Sequence, residues 1–178
     1  HRSVVELINF YESKDSFFLV MEYVSGGELF EQLAENGAYS EAQAAQLLRQ
    51  VAEAAAFLHS QGLCHGDIKP ENLLLADSES DEPRVKLVDF GFSAEPREFQ
   101  GHNTGTWEYW APEVFDGQYG YPVDMWAVGV CAFILLSGYH PFDIEGGVEP
   151  RVMQRRIYSA SFDFDDPAWK AVSPEGKE

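Results

Sequence analysis

Positive charge is scarce in this sequence: 12 Lys and Arg stand against 30 Asp and Glu, giving a formal charge of −18. Nucleic acid is gripped by basic side chains that displace its counterions, so no nucleic-acid partner is expected, and an anionic membrane surface would repel the chain. Basic peptides are the natural partners of such a surface. Cysteine is scarcer still. Cys64 and Cys131 lie far apart with no paired metal-ligand spacing, which reads as two buried thiols in a reducing, intracellular compartment. Long apolar runs are missing as well: the longest, residues 125–136, has 12 residues, where a membrane-spanning helix needs roughly 20. His1-Arg2-Ser3 leads into no apolar run before a cleavage site, so no signal peptide is expected, and no internal repeat is visible.

What is present is enough for a folded domain. Hydrophobic residues make up 45% and aromatics 14% of 178 positions, which excludes disorder as the general state. Residues 4–11 and 17–23 are rich in β-branched and aromatic side chains and flank the polar turn Ser13-Lys14-Asp15, so they read as two antiparallel strands. Ser25-Gly26-Gly27 breaks that pattern, and residues 28–35 read as a short helix ending near Asn36-Gly37. Ser40 and Gln43 form a capping-box pattern; Ala44, Leu47, Leu48, Val51, Ala55 and Leu58 then recur at helical spacing up to Gly62. Residues 73–75 and 85–88 are short enough for a small hairpin, and residues 124–137 read as a buried helix. The acidic run 76–83 between the hairpin strands reads as a solvated loop.

The chemistry concentrates in His65-Gly66-Asp67-Ile68-Lys69-Pro70-Glu71-Asn72, followed by Asp89-Phe90-Gly91. An acid, a lysine, an amide and a second acid in this spacing suit phosphoryl transfer. Asp67 can accept a hydroxyl proton, Lys69 can neutralise charge on the transferred group, and Asn72 and Asp89 offer oxygen ligands to magnesium.

These motifs, with Ala111-Pro112-Glu113 following in order, resemble those of eukaryotic protein kinases. Lys69 two residues after Asp67 is similar to the serine/threonine subgroup. Gly138-Tyr139-His140-Pro141-Phe142 and residues 166–175 resemble the calcium/calmodulin-dependent and calcium-dependent kinases. The resemblance implies an α+β, kinase-like fold: residues 1–24 as the end of the small lobe and hinge, and residues 25–178 as most of the helical large lobe. It implies ATP and Mg2+ as cofactors and a protein substrate, with basic residues near the acceptor serine or threonine.

The resemblance also assigns roles. Met21, Glu22, Tyr23 and Val24 correspond to the hinge, whose backbone pairs with adenine; Glu28 falls near the ribose and Leu74 packs under the base. Glu28 and Glu71 would form an acidic subsite for a basic substrate residue, with ordinary surface acids as the alternative. Thr106 would hydrogen-bond toward Asp67 and Lys69, and Trp107, where the family has proline, would touch the peptide. His65 would pack beneath Asp89, and Asp124 would tie down the catalytic-loop backbone.

Gly66 departs from the family pattern, which has arginine there to pair with a phosphate on the activation segment; His102 stands at the usual phosphosite spacing. Activation without that phosphorylation is therefore expected, as in kinases lacking the arginine. The family's glycine-rich loop and its phosphate-holding lysine do not occur within residues 1–178, nor does the arginine that pairs with the counterpart of Glu113. Residues 1–178 alone are expected to have negligible activity, and a non-catalytic, partner-binding module is the alternative reading.

Overall fold

The computed structural model describes residues 1–31, 37–76, 83–99, 104–144 and 146–177. Strands β1 (Leu7–Glu12) and β2 (Phe17–Met21) form an antiparallel hairpin with Leu7 opposite Met21 and a bulge between Leu7 and Asn9. Both of its faces are open to solvent. The first strand starts later than its composition suggests, because Val4 is drawn into an isolated parallel bridge with Leu87 instead. Leu87 receives on its carbonyl the N–H of Val5 and donates its own N–H to Ser3, so residues 3–5 belong to the large body of the molecule. The second strand ends at Met21, after which one further bond, Glu22 N–H to the Glu6 carbonyl at 2.9 Å, closes the hairpin.

Helix α1 (Glu41–Ser60) begins where the capping box places it. The Ser40 hydroxyl accepts from Gln43 N–H, and the Gln43 side chain accepts from Ser40 N–H. Its buried stripe is Ala44, Leu47, Val51, Ala54, Ala55 and Leu58, spaced at three and four residues. Burying each large aliphatic side chain stabilises by about 1.5–3 kcal/mol. The stripe packs against Ala127, Val128, Cys131 and Leu135.

Those residues lie on α3, which follows α2 (Pro112–Phe115) and runs Pro122–Ser137. The helix starts two residues before Asp124 because Pro122, at its first position, lacks an N–H that would go unpaired there anyway. Ten of the 16 residues of α3 are buried, consistent with a helix apolar on nearly all sides. It ends at Gly138, whose φ of 84° suits the left-handed cap. A fourth helix, α4 (Pro150–Tyr158), buries Met153 and Ile157 against α3 residues Val130 and Ile134.

Strands β3 (Leu73–Leu75) and β4 (Val85–Leu87) pair antiparallel with Leu73 opposite Leu87. Leu73, Leu75, Val85 and Leu87 point into the α1–α3 core, while Leu74 and Lys86 face the other way. Residues 29–31 are helical, and the rest of the helix expected over 28–35 lies outside the described residues, as do most of the acidic run and His102. No helix among the described residues is long and apolar enough to cross a membrane.

Candidate active site

Asp124 organises the site from the first turn of α3, where the partial positive charge of the helix start favours a carboxylate. Its Oδ2 accepts the N–H of His65 at 2.8 Å and its Oδ1 that of Gly66 at 2.9 Å. The ring Nε2 of His59, from the last turn of α1, also meets Oδ2 at 2.8 Å. One buried acid thus joins two helices to the loop that follows α1. Gly66 has φ 80°, a left-handed conformation that glycine adopts without strain.

The loop continues into a short 3-10 turn, Pro70–Asn72, with proline again at its first position. This turn folds Asn72 back onto Asp67. Asn72 Nδ2 donates to the Asp67 carbonyl at 2.8 Å and to Asp67 Oδ2 at 3.2 Å. Lys69 Nζ lies 3.0 Å from the same Oδ2 and donates to Thr106 Oγ1 at 2.7 Å. Thr106 N–H donates to Asp67 Oδ1 at 2.7 Å. The Asp67 carboxylate, 1% exposed, is therefore held by three donors from two segments far apart in sequence. Asp67, Lys69, Asn72 and Thr106 form one hydrogen-bonded group.

Gly105 allows the second segment to come this close. A Cβ there would stand 2.4 Å from the Gly66 carbonyl oxygen and 3.2 Å from Asp67 Oδ1, and its φ is 83°. Tyr119 fixes the preceding residue: its hydroxyl accepts Thr104 N–H at 3.1 Å and donates to the Thr104 carbonyl at 2.9 Å.

Asp89 leaves β4 with φ 58°, a left-handed conformation that costs an asparagine or aspartate less than other side-chain-bearing residues. Its Oδ1 accepts Gly91 N–H at 3.2 Å, and the residue is otherwise exposed. His65 underlies this turn. Its Nε2–H donates to the Val88 carbonyl at 3.0 Å, Nδ1 accepts from Asp67 N–H, and Phe90 packs edge-on at 5.0 Å. Burial holds the His65 pKa below the usual range, only partly opposed by Asp124, Asp67 and Asp89, so the ring is a neutral packing group. Burial likewise raises the Cys64 thiol to about 12 and pushes Cys131 up, leaving both unreactive.

On the hairpin side, Tyr23 is 91% exposed and Met21 is exposed. The Glu22 side chain turns back, accepting Lys86 Nζ at 2.6 Å and Glu6 N–H at 2.8 Å. The lysine bond lowers its pKa. The hydrogen bonds among the described residues use Glu22 N–H and leave the Glu22 carbonyl and Val24 N–H open. Gly26 and Gly27 lace the next segment to β3, through Gly26 N–H to Leu75 O and Leu75 N–H to Gly27 O, both 2.9 Å. A Cβ on Gly26 would come within 2.4 Å of the Leu75 carbonyl oxygen. Glu28 bridges Leu74, which is half-buried, and Glu71 lies exposed in the turn before β3. Trp107 begins a 3-10 turn and packs against the α3–α4 cluster. Glu113 sits half-buried in α2.

No sequence pattern marks His59 or Tyr119 for these contacts. His59 follows Leu58 at the edge of the buried stripe, and Tyr119 stands in an irregular stretch, so periodicity gives neither a role.

The helix-dominated body, the β3–β4 hairpin and the acid-anchored loop define a kinase fold of the α+β class. The chain belongs to the protein kinase family: the protein kinase domain pattern matches residues 1–178. It is 40% identical over 180 residues to calcium/calmodulin-dependent protein kinase type 1 of Macrobrachium nipponense, covering 100% of this chain and 51% of that protein. It is 42% identical over 181 residues to calcium/calmodulin-dependent protein kinase type IV of Homo sapiens, again over 100% of this chain but 38% of the relative. A probable myosin light chain kinase of Dictyostelium discoideum shares 37% over 184 residues, 45% of its length. The chain spans about half the length, or less, of these curated relatives.

Proposed function

We propose that the protein carrying these residues is an ATP-dependent serine/threonine kinase, with Asp67 as the base that accepts the proton of the attacking hydroxyl. The observation that carries this reading is the Asp67 carboxylate, buried yet oriented by Lys69, Asn72 and Thr106. Such an array fixes the direction in which the carboxylate points, which is what a general base needs. Lys69 carries its charge next to the site of transfer, and Thr106 holds it there.

Magnesium fits the donor set. Asn72 spends its amide nitrogen on Asp67, which turns its amide oxygen into the available ligand, and Asp89 adds an exposed carboxylate. Both are hard oxygen donors of the kind magnesium takes. When bound, the ion would neutralise charge on the nucleotide phosphates. The open Glu22 carbonyl and Val24 N–H suit the adenine edge, with Met21 and Tyr23 flanking them, Glu28 near the ribose and Leu74 beneath the base.

The acceptor is an aliphatic hydroxyl on a protein segment with nearby basic residues, which Glu28 and Glu71 would attract, while Trp107 contacts the peptide. Gly66 brings no guanidinium to the activation segment. Activity is therefore independent of phosphorylation there.

The test is phosphoryl transfer from labelled ATP to serine-, threonine- and tyrosine-containing basic peptides by the full-length protein. Asp67→Asn is expected to lower turnover by about 10²–10⁴ while the protein still binds magnesium-ATP in a thermal-shift assay. Unchanged turnover in that variant removes Asp67 from the role, and absence of transfer by a full-length protein that binds magnesium-ATP favours a binding module.

A further inference from the structure

We propose that the cleft between the start of the chain, α1 and the approach to β4 is a docking site for a short, carboxylate-rich peptide segment. The cleft encloses about 490 Å3 and is lined by Arg2, Arg49 and Arg84, with Ser3, Gln50 and Pro83 between them. Three of the chain's 12 basic residues meet in this one concavity, on a molecule with 30 acids. The cleft beside residues 141–148 has the opposite character: there Arg156 shares the walls with Asp143 and Asp163.

The arginine cleft is built rather than incidental. Gln50 clamps its far wall, donating Nε2–H to the Pro83 carbonyl and accepting Val85 N–H, both at 3.0 Å. The near wall is fixed by Leu87 N–H to the Ser3 carbonyl, also 3.0 Å. Glu53 sits beside the cleft and takes Arg2 on Oε2 at 2.6 Å and Arg49 on Oε1 at 3.1 Å. One carboxylate thus orients two guanidinium groups, and each retains further N–H donors. Arg2 and Arg49 are 65% and 72% exposed, so those donors reach solvent.

The arrangement selects the ligand. Guanidinium forks pair with carboxylates through two parallel bonds, and walls fixed in advance lower the ordering cost of binding. The volume lies in the range of ligand clefts, about 300–1,000 Å3. A concave site receives a chain segment, whereas a membrane needs a flat or convex face. Elsewhere the acidic surface repels the same peptide, which confines it to this cleft.

The experiment is fluorescence anisotropy on the full-length protein with labelled Glu-rich, Gln-rich and Lys-rich octapeptides, together with vesicles containing phosphatidylserine. At about 50 mM salt the Glu-rich peptide is expected to bind and the Gln-rich one not, with affinity falling toward about 200 mM as screening sets in. Arg49→Ala and Arg84→Ala are each expected to weaken binding about tenfold or more. Both side chains are exposed, so melting temperature and kinase turnover on a short peptide stay at the unmodified level. No binding of the acidic peptide, equal binding by the Arg variants or by the Gln-rich peptide, or binding to vesicles alone overturns the proposal.

Discussion

The carbonyl oxygen of Gly66 stands 2.4 Å from the point a Cβ on residue 105 would occupy. Gly105 also holds φ 83°, so a side chain there meets both backbone strain and a backbone atom that cannot move aside. Gly105→Ala is expected to cost about 1–3 kcal/mol and to push Thr106 N–H away from Asp67. A misplacement of about 1 Å can cost roughly 10²-fold in rate. Calorimetry and phosphoryl-transfer assays on the full-length protein check both effects. An unchanged rate means that the two segments have slack between them.

Asp124 offers a second point of control. Replacing it with asparagine keeps the shape but exchanges one acceptor oxygen for an NH2 group facing the loop amides of His65 or Gly66. A hydrogen bond to a charged group contributes about 1.5–3 kcal/mol, and the amide left facing a donor is buried. Asp124→Asn is expected to destabilise by at least about that amount, read from chemical denaturation, and to make the amides of His65 and Gly66 exchange faster with deuterium.

Stability should also depend on pH near neutrality. Burial depresses the pKa of both His65 and His140 below their ordinary 6.5. The unfolded chain takes up these protons first, so the stability from keeping both rings neutral is fully present above about 6.5 and is lost as pH falls toward the folded values. The slope is up to about 1.4 kcal/mol per pH unit for each ring. Melting temperature followed from pH 7.5 to 5.5 in His140→Asn should show a shallower decline than in the unmodified protein, whatever the absolute stability of the variant.

Trp169 anchors the C-terminal part of the described chain. It is 2% exposed, its ring centroid lies 4.6 Å from those of both Phe133 and Phe164, and Nε1–H donates to the Tyr139 hydroxyl at 3.0 Å. Trp169→Ala is expected to destabilise by about 3–5 kcal/mol, while Trp169→Phe restores most of that loss. Equal losses in the two variants would mean that the hydrogen bond, not the ring, provides the stabilisation.

Much of this arrangement was legible because local rules and tertiary packing agree. The Ser40–Gln43 box starts α1 where the stripe from Ala44 to Leu58 demands it, and the three-residue strands β3 and β4 pair as their length suggests. The spacing from Asp67 to Asn72 folds the amide back onto the acid because Pro70 fixes the turn between them. Strand limits were less legible, since Val4 has strand character but is claimed by Leu87 from the other hairpin. Contacts made by single residues without a pattern were not legible at all. His59 and Tyr119 act through one polar atom each: the packing of α1 on α3 brings the His59 ring to Asp124, and the packing of Tyr119 with Ala111, Val114 and Val123 accompanies its contact with Thr104.

Lys69 tests whether the hydrogen-bonded group works as a unit. Its Nζ lies 3.0 Å from Asp67 Oδ2 and donates to Thr106 Oγ1 at 2.7 Å, so it ties the two segments together and, in the proposed reaction, would also carry charge toward the transferred phosphoryl. Lys69→Met removes both functions and keeps the apolar stem. A lost donor to developing charge costs about 10²–10³ in kcat, so turnover is expected to fall by that factor with little change in KM for ATP, whose proposed binding groups lie elsewhere. Thr106→Val removes only the tie and is expected to cost about tenfold. The double variant should then be no slower than Lys69→Met alone, because the hydroxyl has no ammonium left to hold. Additive losses would mean that Thr106 acts independently of Lys69, most simply through its backbone path beside Gly105.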